Sequence, residues 1–147
     1  MIVVSWNCRG LGTSFKVNAS RDILAKEQPN IYMIEETKLN KQENQKMIQK
    51  LKNYERVVLE ATGTSRWIST IWDKRKWELM TQKFSKHWIQ TELRNLNTKE
   101  QYSIINVYSP NHYREKEQCC KSVKEEIAKI QSGHLILGGD LNLIRNT

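Results

Sequence analysis

Polar residues of the types that handle phosphates and cations stand where short apolar runs end. The last run, Leu135-Ile136-Leu137, passes through Gly138-Gly139 straight into Asp140-Leu141-Asn142. In an extended chain residues i and i+2 point the same way, so Asp140 and Asn142 present a carboxylate and an amide side by side while Leu141 and Leu143 turn toward the core. Such a pair suits a metal ion or a water beside a phosphate, and an Asx turn closing the strand is the plainer alternative. Asn7 closes the run Ile2 to Trp6, Glu35-Glu36 closes Ile31 to Ile34, and Tyr108 closes Tyr102 to Val107. Side chains alternate along a strand, so of Glu35 and Glu36 one serves a shared site and the other is left near solvent or a cation. Solvated strand ends, and a tyrosine that packs its ring and wets its hydroxyl, are the plainer readings of these residues taken singly. Together, a carboxylate for a divalent cation, amides for phosphate oxygens and a phenol donor are what phosphodiester cleavage needs. Mg²⁺ takes hard oxygen ligands and keeps waters, and the catalysis is chiefly positioning and charge neutralisation.

The elements that must carry these residues follow from the pattern. Ile2–Trp6, Ile31–Ile34, Arg56–Ala61, Trp67–Trp72, Trp88–Leu93, Tyr102–Tyr108 and Leu135–Leu137 are short, β-branched or aromatic, and bounded by turn residues, which predicts strands. The last is apolar throughout and predicts a strand buried on both faces, with the two glycines allowing a bend or a close approach. Helices are predicted over Ser14–Gln28, stopped by Pro29, over Asn40–Asn53, and over His112–Gln131, ended by Gly133. Asn7 thus lies at the carboxyl end of a strand, where ligands bind in open α/β sheets. Asp73-Lys74-Arg75-Lys76 makes a basic turn between Trp72 and Trp77. It could grip a phosphate backbone with an aromatic beside it for a base, and a solvated hairpin turn is the commoner case.

The totals narrow the classes. A chain of 147 residues fits one domain and can bury roughly 70% of its unfolded surface. With 38% hydrophobic and 27% charged residues it has the composition of an ordered protein rather than a disordered tail. Lys and Arg outnumber Asp and Glu by 24 to 16, and the net charge of +8 favours a polyanionic partner, nucleic acid above all. Cys8, Cys119 and Cys120 form no CxxC and are odd in number, which supports neither a disulfide framework nor a zinc site and implies an intracellular setting. The apolar start is interrupted by Ser5, Asn7 and Arg9, and no run is long enough for a membrane span, so no membrane association is expected.

In order along the chain, Trp6-Asn7-Cys8-Arg9-Gly10-Leu11, Ile34-Glu35-Glu36-Thr37-Lys38, Asn106-Val107-Tyr108-Ser109-Pro110-Asn111 and Gly138-Gly139-Asp140-Leu141-Asn142 resemble the successive motifs of the endonuclease/exonuclease/phosphatase family. Within it they look like the apurinic-endonuclease-like domain of LINE-type (non-LTR) retrotransposons. The resemblance implies a four-layer α/β/β/α sandwich of the DNase-I-like kind. It also implies Mg²⁺-dependent nicking of DNA, with Mn²⁺ as a substitute ion and the nucleus as the setting if chromosomal DNA is the substrate. Glu36 would bind the metal and Asn7 would help hold metal and phosphate. Tyr108 would contact the phosphate, Asp140 would orient the attacking water, and Asn142 would orient the scissile group. Arg9, Lys74, Arg75 and Lys76 are the candidate nucleic-acid contacts.

Two motifs of the family, a further metal-binding Asp and a Ser-Asp-His, have no counterpart here, and His87, His112 and His134 lack a preceding Asp. The expectation is therefore a single partial domain over residues 1–147 that lacks its C-terminal part, has an incomplete second sheet and is inactive alone. Uncovering several hundred Å² of inner-face apolar surface forfeits on the order of 10 kcal/mol, so a second copy or the missing C-terminal half is expected to cover it. The alternative function is a catalytically inactive remnant that binds nucleic acid or a partner.

Overall fold

The computed structural model describes residues 1–7, 13–37, 52–60, 66–131 and 133–141. The side chains of Asn7, Ser20, Arg21, Glu36, Thr37, Arg66 and residues 13–17 fall outside that description. Runs rich in β-branched and aromatic residues form strands β1 (Val3–Asn7), β2 (Ile31–Thr37), β3 (Tyr54–Glu60) and β4 (Arg66–Asp73) of a first sheet, in the order β1-β2-β4-β3. Strands β5 (Trp77–Phe84), β6 (Trp88–Asn95), β7 (Gln101–Tyr108) and β8 (His134–Asp140) form a second sheet in sequence order. Helix α1 (Thr13–Glu27) crosses between the parallel strands β1 and β2, and α2 (Tyr113–Ala128) crosses between the parallel strands β7 and β8. Every other pairing is antiparallel.

Alternation along each strand builds the layers. On β2, Ile31 and Met33 face the second sheet, where they meet Trp77, Ile89, Leu93 and Ile104, whereas Tyr32 and Ile34 pack toward Leu24 of α1. On β7, Ile104 and Tyr108 point inward while Ile105 and Val107 pack on Cys119 and Val123 of α2. The layers are therefore helix, sheet, sheet, helix. Side-chain bonds tie α2 down: Trp88 Nε1–H donates to Ser122 Oγ at 2.9 Å, and Lys83 Nζ reaches both Glu126 oxygens at 3.1 and 3.0 Å.

Three expectations change. The inter-sheet core is closed around Ile31, Ile89, Leu93 and Ile104, each at 0% exposure, so the inner face is uncovered toward the β5 edge, where Phe84 stands level with Ile89 and is 46% exposed, rather than along its whole extent. Other exposed apolar residues lie on the outer side. Strand β8 is an edge strand rather than one buried on both faces, and Leu135 and Leu137 are 41% and 42% exposed on its outer side. Residues 74–76 do not close a hairpin, because β4 belongs to the first sheet and β5 to the second, so this turn carries the chain from one sheet to the other. Asp73 holds it by accepting bonds from the Arg75 backbone N–H at 2.9 Å and from Arg75 Nε and Nη2 at 3.0 and 2.8 Å. The predicted helix over 40–53 lies outside the described residues apart from Lys52 and Asn53, which are a turn.

Candidate active site

Both parallel pairs end at the same rim of the sandwich. In register, Asn7 on β1 is level with Glu35 on β2, and Tyr108 on β7 is level with Asp140 on β8. Across the sheets β1 lies over β8, where the Gly139 N–H donates to Ser5 Oγ at 3.3 Å. Between the sheets at this rim is a cavity of about 180 Å³. Its lining includes Glu35 and Met33 of β2, Asn106 of β7 and Asp140 of β8, with Ser5 and Trp6 of β1.

Glu35 reaches this cavity because it shares the face of Ile31 and Met33, and it is 5% exposed. Among the described side chains it is Glu35 that lines the cavity, whereas the resemblance attached the metal to Glu36. Glu36 itself pairs by register with Trp67, and its side chain lies outside the described ones, as does that of Asn7. Arg9 and Asn142 also lie outside the described residues.

Tyr108 is held at the end of β7 from both sides: its N–H donates to the His87 carbonyl at 2.8 Å, and the Ser109 N–H donates to the Asp140 carbonyl at 2.8 Å. Its ring belongs to the inter-sheet core, 5% exposed, and does not line the cavity. Asn106, one alternation step earlier on the same face, does line it and is 1% exposed. Its Nδ2 donates to the Ser69 carbonyl at 2.9 Å and to Thr70 Oγ1 at 3.3 Å, both on β4 of the opposite sheet.

The histidines stand apart from the rim chemistry. His134 begins β8 at the far end from Asp140 and stacks on Tyr102 with ring centroids 4.5 Å apart, and His112 caps α2 without a side-chain bond. The His87 imidazole is half-buried; burial first and Lys86 second push its pKa below the ordinary 6.5, with Glu115 opposing. In the basic turn Lys74 and Lys76 are exposed, whereas the Arg75 guanidinium is engaged by Asp73. The Arg75 hydrogen bond is the main cause that holds the Asp73 carboxyl below its ordinary range.

Among the described residues no group of three or more His, Cys, Asp and Glu side chains is gathered as a metal site. The donors present nonetheless fit a hard dication. Two carboxylates from opposite sheets line one cavity beside an amide, with room left for ion-bound water, and Mg²⁺ is commonly held by one or two carboxylates plus water and substrate phosphate.

No protein-family model matches the chain, and no curated protein matches it. Solved structures do. A humanized D. rerio TDP2 superposes with a TM-score of 0.80 at 13% identity, covering 99% of this chain and 63% of that one. An endonuclease/exonuclease/phosphatase from Bacteroides vulgatus gives a TM-score of 0.78 at 12% identity, covering 95% and 64%. The fold is that of the endonuclease/exonuclease/phosphatase, DNase-I-like proteins. The human Nocturnin catalytic domain, with bound sulfate, has it too, with a TM-score of 0.67 at 11% identity over 89% of this chain and 58% of that one. The chain thus spans about three fifths of the length of these DNase-I-like neighbours.

Sequence reasoning left Glu35 and Glu36 as alternatives, with the resemblance favouring Glu36; it missed Ser5, and it noted Asn106 only as sharing a face with Tyr108. The available signal for Asn106 was a lone amide inside the apolar run Ile104-Ile105-Asn106-Val107.

Proposed function

We propose that this chain forms the amino-terminal portion of a metal-dependent phosphodiesterase that nicks DNA, of the non-LTR retrotransposon type. The observation that carries the proposal is that Glu35 and Asp140, at the ends of strands from opposite sheets, line one cavity. DNA as substrate draws on the net charge of +8 and on the neighbour D. rerio TDP2, which is complexed with single strand DNA product. The retroelement type rests on the Trp6-Asn7-Cys8-Arg9-Gly10-Leu11 motif, and a nuclear setting follows from chromosomal DNA as substrate.

Glu35 and Asp140 would hold Mg²⁺ or Mn²⁺, with Glu36 as the further carboxylate of the motif. The bound ion supplies charge neutralisation for the phosphate and lowers the pKa of water. Asp140 is half-buried and can accept a proton from an attacking water. Asn7 and Tyr108, at the ends of β1 and β7, would donate to phosphate oxygens, and Asn142 would orient the scissile group. The missing Asp and Ser-Asp-His motif leave this chain weak or inactive alone. The exposed β8 edge is where a second copy or a C-terminal half would sit.

The test is nicking of supercoiled plasmid by purified protein with Mg²⁺, alongside Glu35→Ala, Glu36→Ala and Asp140→Ala. Metal-dependent nicking lost in Asp140→Ala and Glu35→Ala supports the proposal. Equal nicking in all samples would overturn it. Absence of nicking together with DNA binding that is salt-sensitive but indifferent to Mg²⁺ and to Asp140→Ala assigns the second reading, an inactive nucleic-acid-binding module, with exposed Lys74 and Lys76 at the sheet crossover as candidate contacts.

A further inference from the structure

Gly138-Gly139 brings Asp140 to the rim, and hydrogen bonds that cross between the sheets at two places flank it. At the centre of the sandwich the Asn106 amide donates to the Ser69 carbonyl at 2.9 Å and to Thr70 Oγ1 at 3.3 Å. At the edge, the Gly139 N–H donates to Ser5 Oγ at 3.3 Å. Gly139 sits between the two. Its φ is +102°, and a Cβ there would strike the Val107 carbonyl oxygen and come within 2.7 Å of Asn106 Oδ1. Asn106 therefore contacts the first sheet with its nitrogen and backs the second sheet's glycine with its oxygen. The neighbour on the same face two residues earlier, Ile104, is apolar and 0% exposed, so it offers no such directional bond.

We propose that Asn106 and Ser5 are positioning residues, a latch across the sheets that fixes Asp140 of the second sheet relative to Glu35 of the first. The inference rests on the reading of that carboxylate pair as a cation site. Dispersion and apolar burial hold the sheets together, yet they are non-directional and tolerate sliding, whereas a buried amide with two acceptors accepts only one offset. An ion bridging carboxylates from different sheets needs that offset. Groups that orient ligands in this way typically change metal affinity by about 10–100-fold when removed.

The experiment uses the chain as it is, with free Mn²⁺ as probe. Mn²⁺ affinity is read by electron paramagnetic resonance, and exchange of the Gly139 amide hydrogen is read by NMR without metal. The variants are Asn106→Ser, Ser5→Ala at an exposed position that spares the core, and Leu93→Ala as a core truncation at the opposite end of the second sheet. In Asn106→Ser, Mn²⁺ affinity is expected to fall about 10–100-fold. In Ser5→Ala a fall of a few fold is expected, and in both the Gly139 amide exchanges faster while Ile104 stays protected. Leu93→Ala lowers the melting temperature but leaves Mn²⁺ affinity and Gly139 exchange as in the parent. Unchanged affinity and exchange in both latch variants, or an equal loss in Leu93→Ala, overturns the latch. If the parent binds no Mn²⁺, the cation reading fails, and the Gly139 exchange still decides whether the latch exists.

Discussion

The sandwich contains the same unit twice, a parallel strand pair crossed by a helix, β1-α1-β2 in one sheet and β7-α2-β8 in the other, each ending in an acid at the rim. The surroundings of the two acids differ. Strand β2 lies inside its sheet between β1 and β4, and Glu35 at its end is buried. Strand β8 is the edge of its sheet, and it reaches Asp140 through two glycines with Leu135 and Leu137 open on its outer side. One carboxylate is thus held by the core around it, and the other by backbone geometry and cross-sheet hydrogen bonds. A site built this way has a firm half and an adjustable half, and the adjustable half is where substitutions will move function before they move stability.

Truncations at matched positions test that contrast most strongly. Ile34→Ala on β2, where the side chain is 1% exposed, should cost about 3–4 kcal/mol in chemical denaturation. Leu137→Ala on β8 should cost about 1 kcal/mol or less, because its side chain is already 42% exposed. Equal losses would break the contrast. Next, Gly139→Ala should cost about 3 kcal/mol, since φ is +102° and the new methyl has no space, and it should lower Mn²⁺ binding out of proportion to that loss. Cys119 supplies a smaller, kinetic test of the α2 side. Burial raises its thiol pKa to about 11 and it is 3% exposed, so a thiol reagent at pH 8 should label Cys120 in the native protein and Cys119 only on unfolding.

The smallest expected effect is on pH. The folded His87 pKa is lowered, so the unfolded chain binds more protons below about pH 6.5 and stability falls as the pH drops through that value. Asp73 has a depressed pKa, so its contribution is complete above its ordinary 3.8 and is lost as the pH falls through the lower folded value. Thermal melts from pH 7 to pH 3 should show the shallow His87 loss first, removed in His87→Gln, and the Asp73 loss only at the acid end.

The strands, the two crossing helices and the rim of polar residues were legible because apolar runs bounded by turn residues report directly on burial. What escaped did so for identifiable reasons. Ile31, Tyr32, Met33 and Ile34 are all apolar because both faces of β2 are covered, so no alternation told which of Glu35 and Glu36 faces the other sheet. Leu135-Ile136-Leu137 has the same uniform pattern and was read as equally buried, but it sits on an edge, where pattern and burial part company. Strand β5 was implied only as the far arm of a hairpin and was given no bounds. Its residues from Met80 to Phe84 are exposed, and polar Thr81, Gln82 and Lys83 blunt the apolar signal on the other edge of that sheet. The turn at 74–76 reads like a hairpin because a three-residue turn between aromatic strands cannot reveal that the strands join different sheets. Asn106 carries little local signal, since its partners Ser69 and Thr70 are distant in sequence.

The central claim is that Glu35 and Asp140 converge on one cation site between the sheets. Paramagnetic broadening by substoichiometric Mn²⁺ in NMR tests it most directly, with signals at each position followed together. Concerted broadening of Glu35, Asn106, Gly139 and Asp140, reversed by excess Mg²⁺, is the result expected. Broadening at only one of the two carboxylates, or at neither, would contradict it.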